Sequence, residues 1–313
     1  MENYLLAMGV YAGIYALMTL GLNVVWGMAG MINLGLAGFF ALGAYASALL
    51  AVEGGQPIAA GLAAGAAFAA AVGALLALTT ARLRADYLAI VTLGFSETVR
   101  LVASNELWIA NGTDGISGVP GPYRGALTPQ QFNLLYLAIV VAVIAVVYLV
   151  LQRLSHSPFG RVLRAIRDDD QVAAVAGKRV IAFKVRAFAT SAGVLGLAGG
   201  LYGHYTSFVA PDFFSPLLTI YIVLALLAGG VANNRGAVLG AVLVVFFLEA
   251  TRFVIPLVPG LSPVQGAAFR ELLISGSLIA VLRFRPAGLI PERLPFVPVP
   301  EGPVGAARPA EGG

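Results

Sequence analysis

Arg161, Arg164 and Arg167 recur at three-residue steps and run directly into Asp168, Asp169 and Asp170, an Ala173–Ala174 pair and Gly177. Guanidinium groups so spaced share one side of a helix, and together with the carboxylates they make a charged surface suited to docking a partner. Ser157 followed by Pro158 is a good start for that helix, since the hydroxyl accepts an otherwise unpaired N–H and proline fits the first turn. Phe159, Val162, Leu163 and Ile166 then fall on one face and the arginines on another. The aspartates can end this helix and cap the next, which Gly177 is placed to close. The expectation is a helix pair lying on a surface, apolar beneath and charged at the rim. A basic segment that only fixes topology is the alternative.

Other ionisable groups sit inside apolar runs. Glu97 with Arg100, and Glu249 with Arg252, are each three residues apart, so each pair can neutralise itself on one helical face. Self-pairing is the simpler reading and a direct role toward solute the other. His204, between Tyr202 and Tyr205, is read as a satisfied packing histidine, with solute bonding or proton sensing as the alternative. No HExxH, nucleophile elbow, phosphate loop or carboxylate–histidine cluster is present, so no catalytic residue and no metal ligand is assigned.

The elements that must hold these groups follow from composition. Of 313 residues 59% are hydrophobic and 11% charged, and the mean hydropathy is +0.89. That is too little polar surface to cover a soluble globule. A hydrocarbon core of about 30 Å needs roughly 20 apolar residues per helical crossing. Continuous apolar stretches without alternation exclude a transmembrane barrel. The fold is expected to be all-α and polytopic, with about nine crossings near 4–24, 34–52, 57–81, 86–103, 132–152, 186–206, 217–231, 237–256 and 267–283. The second and third are weakly hydrophobic and the seventh is short, so a broken or re-entrant helix can replace one of them. Cysteine is absent, and the first apolar run has no basic segment before it, so it is read as the first helix and not as a cleaved signal.

Threading the chain through these crossings places Arg82, Arg84, the set from Arg153 to Arg186, Arg235, Arg283, Arg285, Arg293 and Arg308 on one side. Arg100, Arg124, Arg252 and Arg270 fall on the other, fifteen against four. Basic residues gather on the cytoplasmic side, so the N-terminus is expected outside and the C-terminus inside. The transmembrane body is assigned to 1–284, with the basic segment near 153–186, and the Pro/Gly-rich 285–313 to a disordered cytoplasmic tail. The turn-rich loop 105–131 is read either as a connector or as a contact surface.

Residue order adds a resemblance. SPFGRVLRAIRDD from Ser157, with Ala173, Ala174 and Gly177 after it, resembles the cytoplasmic coupling loop of branched-chain amino acid permeases of ABC importers. Gly21-Leu22-Asn23, Trp26-Gly27, Ala29-Gly30 and INLGLAGFFALGAYASALL from Ile32 resemble that family's glycine-rich opening. ADYLAIVTLGFSETVRLVASN from Ala85, SAGVLGLAGGLYGHYTSFVAPDFF from Ser191 and LLAGGVANNRGAVLGA from Leu226 continue the likeness in order over about three-quarters of the chain. The chain departs from the pattern at Asp170, where Glu is usual, at Val172, and at Asn233-Asn234-Arg235, where a small glycine-containing turn is usual.

The resemblance implies a multi-pass permease of a bacterial cytoplasmic (inner) membrane that translocates leucine, isoleucine and valine, with relatives that move urea or short amides. It implies two ATPase subunits that bind ATP and Mg, a second homologous permease, an extracytoplasmic solute-binding protein and surrounding lipid, with no nucleic acid and no cofactor in this chain. Ser157, Pro158, Gly160, Arg161, Arg164, Arg167, Asp168, Asp169, Asp170, Ala173, Ala174 and Gly177 become the expected ATPase contact. Asn23, Asn33, Gly35, Gly38, Glu97, Arg100, His204, Glu249 and Arg252 become candidates for the solute path or for helix packing. A stand-alone channel or carrier using Glu97, Glu249 or His204 to couple ions is the competing function, and an intramembrane enzyme lacks its catalytic cluster.

Overall fold

The computed structural model describes residues 2–254 and 263–292. Helix α1 (Glu2–Leu22) continues as a π-helical turn, Asn23–Met28. Helices α2 (Leu36–Val52), α3 (Ile58–Thr80) and α4 (Ala85–Asn105) follow. A loop then holds the one-turn helix α5 (Leu107–Ala110) and strand β1 (Ile116–Ser117). Beyond it come α6 (Pro129–His156), α7 (Pro158–Asp168), α8 (Asp170–Val175) and α9 (Val180–Thr206). Strand β2 (Phe208–Val209), α10 (Pro216–Gly229), α11 (Asn234–Val254) and α12 (Pro263–Phe284) complete the order.

This is a helical, multi-pass membrane protein. Each of the nine expected crossings falls on a helix of its own, but the helices differ in their capacity to cross. Among the described residues six are long and apolar enough: α1 with its π turn, α3, α4, α6, α9 and α11. Helices α2 and α10 are apolar but short, with 17 and 14 residues. At about 1.5 Å per residue, α10 spans only ~21 Å. Helix α12 has the length, but Arg270, Glu271 and Arg283 interrupt its apolar surface. The sixth crossing, expected over 186–206, is longer at its start: α9 begins at Val180, and Lys184 in its first turns pairs with Asp170 at 3.0 Å.

The core is built on small residues. Helix α9 packs chiefly against α3 and α2. A methyl group at Gly43 would collide with the backbone of Gly196, and one at Gly65 with that of Gly43. Without side chains at these crossings three helices approach almost backbone to backbone, which is how helices associate where water is absent. Gly229 and Gly240 do the same between α10 and α11. The glycines of the sixth crossing thus serve packing.

The two ends of the bundle differ. One collects residues 29–31, 81–88, 166–171 and Lys184 around a cavity of about 490 Å³, together with Asn233, whose amide donates to the Pro291 carbonyl at 3.1 Å. This basic end carries α7 and α8. The opposite end brings Glu2 to Gln130 at 3.0 Å and pairs β1 with β2 in antiparallel register, Ile116 with Val209 and Ser117 with Phe208. The loop 105–131 is therefore a folded contact element: Arg124 donates to the Tyr205 carbonyl and lies 4.4 Å from the centre of the Phe132 ring.

Two departures from expectation alter the architecture. Residues 29–35 form no helix, and α2 begins partway along α4: the Leu34 N–H donates to Thr92 Oγ1 at 2.9 Å, and Gly35 packs on the Thr92 carbonyl. Thr92 is about two turns, ~10 Å, into α4, so an extended stretch enters the bundle from the basic end. The second crossing itself is one continuous helix of 17 residues behind this extended entry. The expected disordered tail also starts too early. Leu289 and Ile290 donate their N–H groups to the Ala228 and Gly229 carbonyls, each at 2.9 Å, since α10 ends there and leaves carbonyls unpaired. Residues 285–292 of the expected tail are thus part of the described structure; residues 293–313 lie outside the described residues.

Candidate functional site

The surface helices form as their residues dictate. Ser157 caps α7, its Oγ accepting the Gly160 N–H at 3.4 Å. Asp169 ends α7 and caps α8, one carboxylate oxygen accepting the N–H groups of Gln171 at 2.8 Å and Val172 at 3.0 Å. Gly177 closes α8 with φ +77°, a left-handed conformation that favours glycine. Gly160, Leu163 and Ile166 are buried beneath α7, and Ala173 beneath α8.

The arginines are less outward than their spacing suggests. Arg164 Nη2 donates to the Ser155 carbonyl at 3.1 Å, and Arg161 Nη1 approaches the His156 carbonyl at 3.4 Å. Both cover carbonyls left open where α6 ends. Arg167 Nη1 donates to the Gly27 carbonyl at 2.6 Å and pairs with Glu292 at 2.9 Å. Asp168 lies 3.6 Å from Arg167, and Asp170 holds Lys184 of α9. The charged set ties the surface helices to the bundle. Beside the exposed Asp168, Asp169 and Lys178, apolar residues also face outward: Val172 is 64% and Val175 91% exposed. Val172 lines an open groove of about 560 Å³ between α7 and α8, together with Val162, Ala165 and Ala173. Ala174 is exposed beside them.

Beneath α7 lies a network that the sequence reading did not anticipate as a unit. Asn23, fully buried in the π turn, donates to Asn234 Oδ1 at 2.9 Å and accepts the Ala232 N–H at 2.8 Å. Asn234 passes the chain on to Gln152 Oε1 at 2.9 Å. Asn23 in an apolar run and the unusual Asn233–Asn234 pair were the available signals, because a buried amide requires partners. The network joins α1, α6 and α11 next to the carbonyl that Arg167 grips. A π turn where helices meet a moving surface is a common place for adjustment in a helix.

The other candidates separate. Asn33 Oδ1 accepts the Gly35 N–H at 2.8 Å, while its Nδ2 is buried without a partner. Gly35 and Gly38 serve the close contact of α2 with α4. His204 is fully buried, with Nε2 2.9 Å from Ser47 Oγ and Nδ1 2.7 Å from the Pro120 carbonyl. Both ring nitrogens are engaged, as expected of a packing histidine. Glu249 accepts a hydrogen bond from the Tyr4 hydroxyl, which links α11 to α1; the side chain of Arg252 lies outside the described residues. Glu97 and Arg100 do pair on α4: Arg100 Nε lies 3.1 and 3.0 Å from the two carboxylate oxygens, and Nη2 also bonds Oε1.

Comparison with known proteins places the whole arrangement. The high-affinity branched-chain amino acid transport system permease protein LivM of Escherichia coli (strain K12) is 32% identical over 311 residues, covering 92% of this chain and 70% of the relative. The probable branched-chain amino acid transport permease protein LivM of Methanocaldococcus jannaschii is 32% identical over 232 residues, 71% of this chain and 65% of that one. An autoinducer 2 import system permease protein, LsrC of Photorhabdus laumondii, is 27% identical over 159 residues, half of this chain and 45% of its own. No solved structure matches. The family model described as branched-chain amino acid transport system / permease component matches residues 4–282, so the chain belongs to that family of membrane permeases.

Proposed function

We propose that this chain is the membrane-spanning permease subunit of a binding-protein-dependent ABC importer that moves leucine, isoleucine and valine. ATP and Mg²⁺ are bound and turned over by two ATPase subunits. A second homologous permease completes the membrane portion, and an extracytoplasmic binding protein delivers the solute. The chain sits in a bacterial inner membrane with nine crossings, its N-terminus outside and its basic end, with α7 and α8, in the cytoplasm. The clustering of Arg82, Arg84, Arg235 and Arg283 with the surface helices supports that orientation, because cytoplasmic ends carry the basic excess.

The observation that carries the reading is the α7–α8 groove. Two capped surface helices present an exposed apolar crest, Val172 and Val175, while their arginines reach back to the carbonyls of α6 and of the π turn. A partner seated on the crest pushes on the bundle through those bonds. A partner that grips the crest differently in its nucleotide-bound and free states thereby biases the bundle between two arrangements. Co-purification with the ATPases tests this. Val172→Glu and Val175→Glu are expected to abolish association while leaving folding intact; retained association and import in both variants defeats the proposal.

A further inference from the structure

The Glu97–Arg100 pair occupies an unusual position for two charges that satisfy one another. It lies on α4, with Arg100 only five residues before the helix end at Asn105, about 8 Å at 1.5 Å per residue. Its side chains remain 35% and 27% exposed. The flank of α4 that bears it is open among the described residues: Leu93 and Leu101 are exposed, and a methyl group at Gly94 would touch nothing. A charge facing hydrocarbon escapes the cost by reaching for the nearer membrane surface. Arg100 does the reverse. Its guanidinium turns back along the helix to Glu97, deeper into the bundle, which fits a hydrated neighbour and not lipid.

The pair is also incompletely used. Arg100 commits Nε and Nη2 to Glu97, and Nη1 has no protein acceptor among the described residues. Asp212 is exposed in the short turn Pro211–Phe214 after β2, and that turn packs on α4. Arg100 is thus bound to one carboxylate with a donor left over, and a second carboxylate sits on the turn that packs on the same helix. The set offers an acceptor for an ammonium group and, beside it, a donor for a carboxylate.

We propose that Glu97, Arg100 and Asp212 form a receiving step for a zwitterionic α-amino acid at the end of the bundle opposite the surface helices. The solute ammonium settles between Glu97 and Asp212, and its carboxylate takes the free Nη1 of Arg100. This site deepens the proposed function and rests on it. The aliphatic side chain is not read here, so the step selects for the amino acid backbone and leaves the choice among side chains to other contacts.

The test uses the complete importer, with its ATPases, second permease and binding protein, reconstituted in proteoliposomes. Leucine uptake and ATP hydrolysis are measured together. Arg100→Gln and Glu97→Gln are each expected to lower leucine imported per ATP by at least about tenfold, the scale of one charge-assisted hydrogen bond, with assembly and ATP hydrolysis retained. The exchange variant Glu97→Arg/Arg100→Glu rebuilds the ion pair but reverses its direction, and is expected to remain as defective as the single changes. Wild-type import by the exchange variant means that the pair only neutralises itself, and overturns the proposal. Loss of the second permease from the purified complex also overturns it, by making this flank a subunit contact. Absence of leucine import by the unaltered complex removes the proposed function itself, and the site with it.

Discussion

Arg167 of α7 and Glu292, eight residues beyond the end of α12, form an ion pair at 2.9 Å, and the same guanidinium nitrogen bonds the Gly27 carbonyl at 2.6 Å. One side chain therefore fastens the surface helix to the π turn of α1 and to the segment after the last helix. Arg167→Met is expected to cost about 1–3 kcal/mol, because it strands a carbonyl and a largely buried carboxylate. Glu292→Gln keeps a neutral hydrogen bond and should cost less than about 1 kcal/mol, as expected of a partly solvated pair. Thermal melting of the purified protein checks both values. Amide exchange at Leu289 and Ile290 should accelerate in Arg167→Met.

Val175→Glu places a charge where the side chain is 91% exposed. Its effect on the melting temperature should be negligible, within about 0.5 kcal/mol. Loss of import with an unchanged melt would locate the defect at the partner surface, and a lowered melt would show that Val175 is part of the fold.

His204→Ala leaves the Ser47 hydroxyl and the Pro120 carbonyl without their partner in a buried site. A loss of about 2–4 kcal/mol is expected from the two stranded groups and the space left behind. His204→Gln should recover part of it, since an amide can both donate and accept. Import by whatever protein folds should stay normal, measured as rate per mole of folded complex.

Gly43→Ala forces a methyl group into the backbone of Gly196. Overpacking of this kind costs about 1–3 kcal/mol, and Gly43→Leu should cost more than Gly43→Ala. Gly94→Ala, on the open flank of α4, is the control and should leave the melt at or slightly above that of the unaltered protein.

The helical, multi-pass architecture was legible because length and hydrophobicity of a crossing are properties of local sequence. So were the surface helices: Ser157, Asp169 and Gly177 act as caps within three residues of what they cap. The inward turn of the arginines was not. Their partners, the carbonyls of Ser155 and His156 and of distant Gly27, exist only once α6 has ended and α1 has unwound into a π turn. The Asn23–Asn234–Gln152 network was hidden for the same reason, since each amide looked isolated in its own segment. The shortness of α10 was legible in its apolar run, whereas the extended entry of residues 29–35 alongside α4 escaped, because hydropathy records which residues avoid water and not which distant helix a segment lies against. The Glu97–Arg100 pair, by contrast, followed from spacing alone, being confined to one turn of one helix.

Where Gly43, Gly65 and Gly196 meet, α2, α3 and α9 touch through main chain, and there are no interlocking rotamers to rearrange. Such a junction has few ways to yield by degrees. Displacing α9 would therefore carry α2 and α3 with it as one body, like the arm of a rigid lever. Its pivot must lie outside this slab.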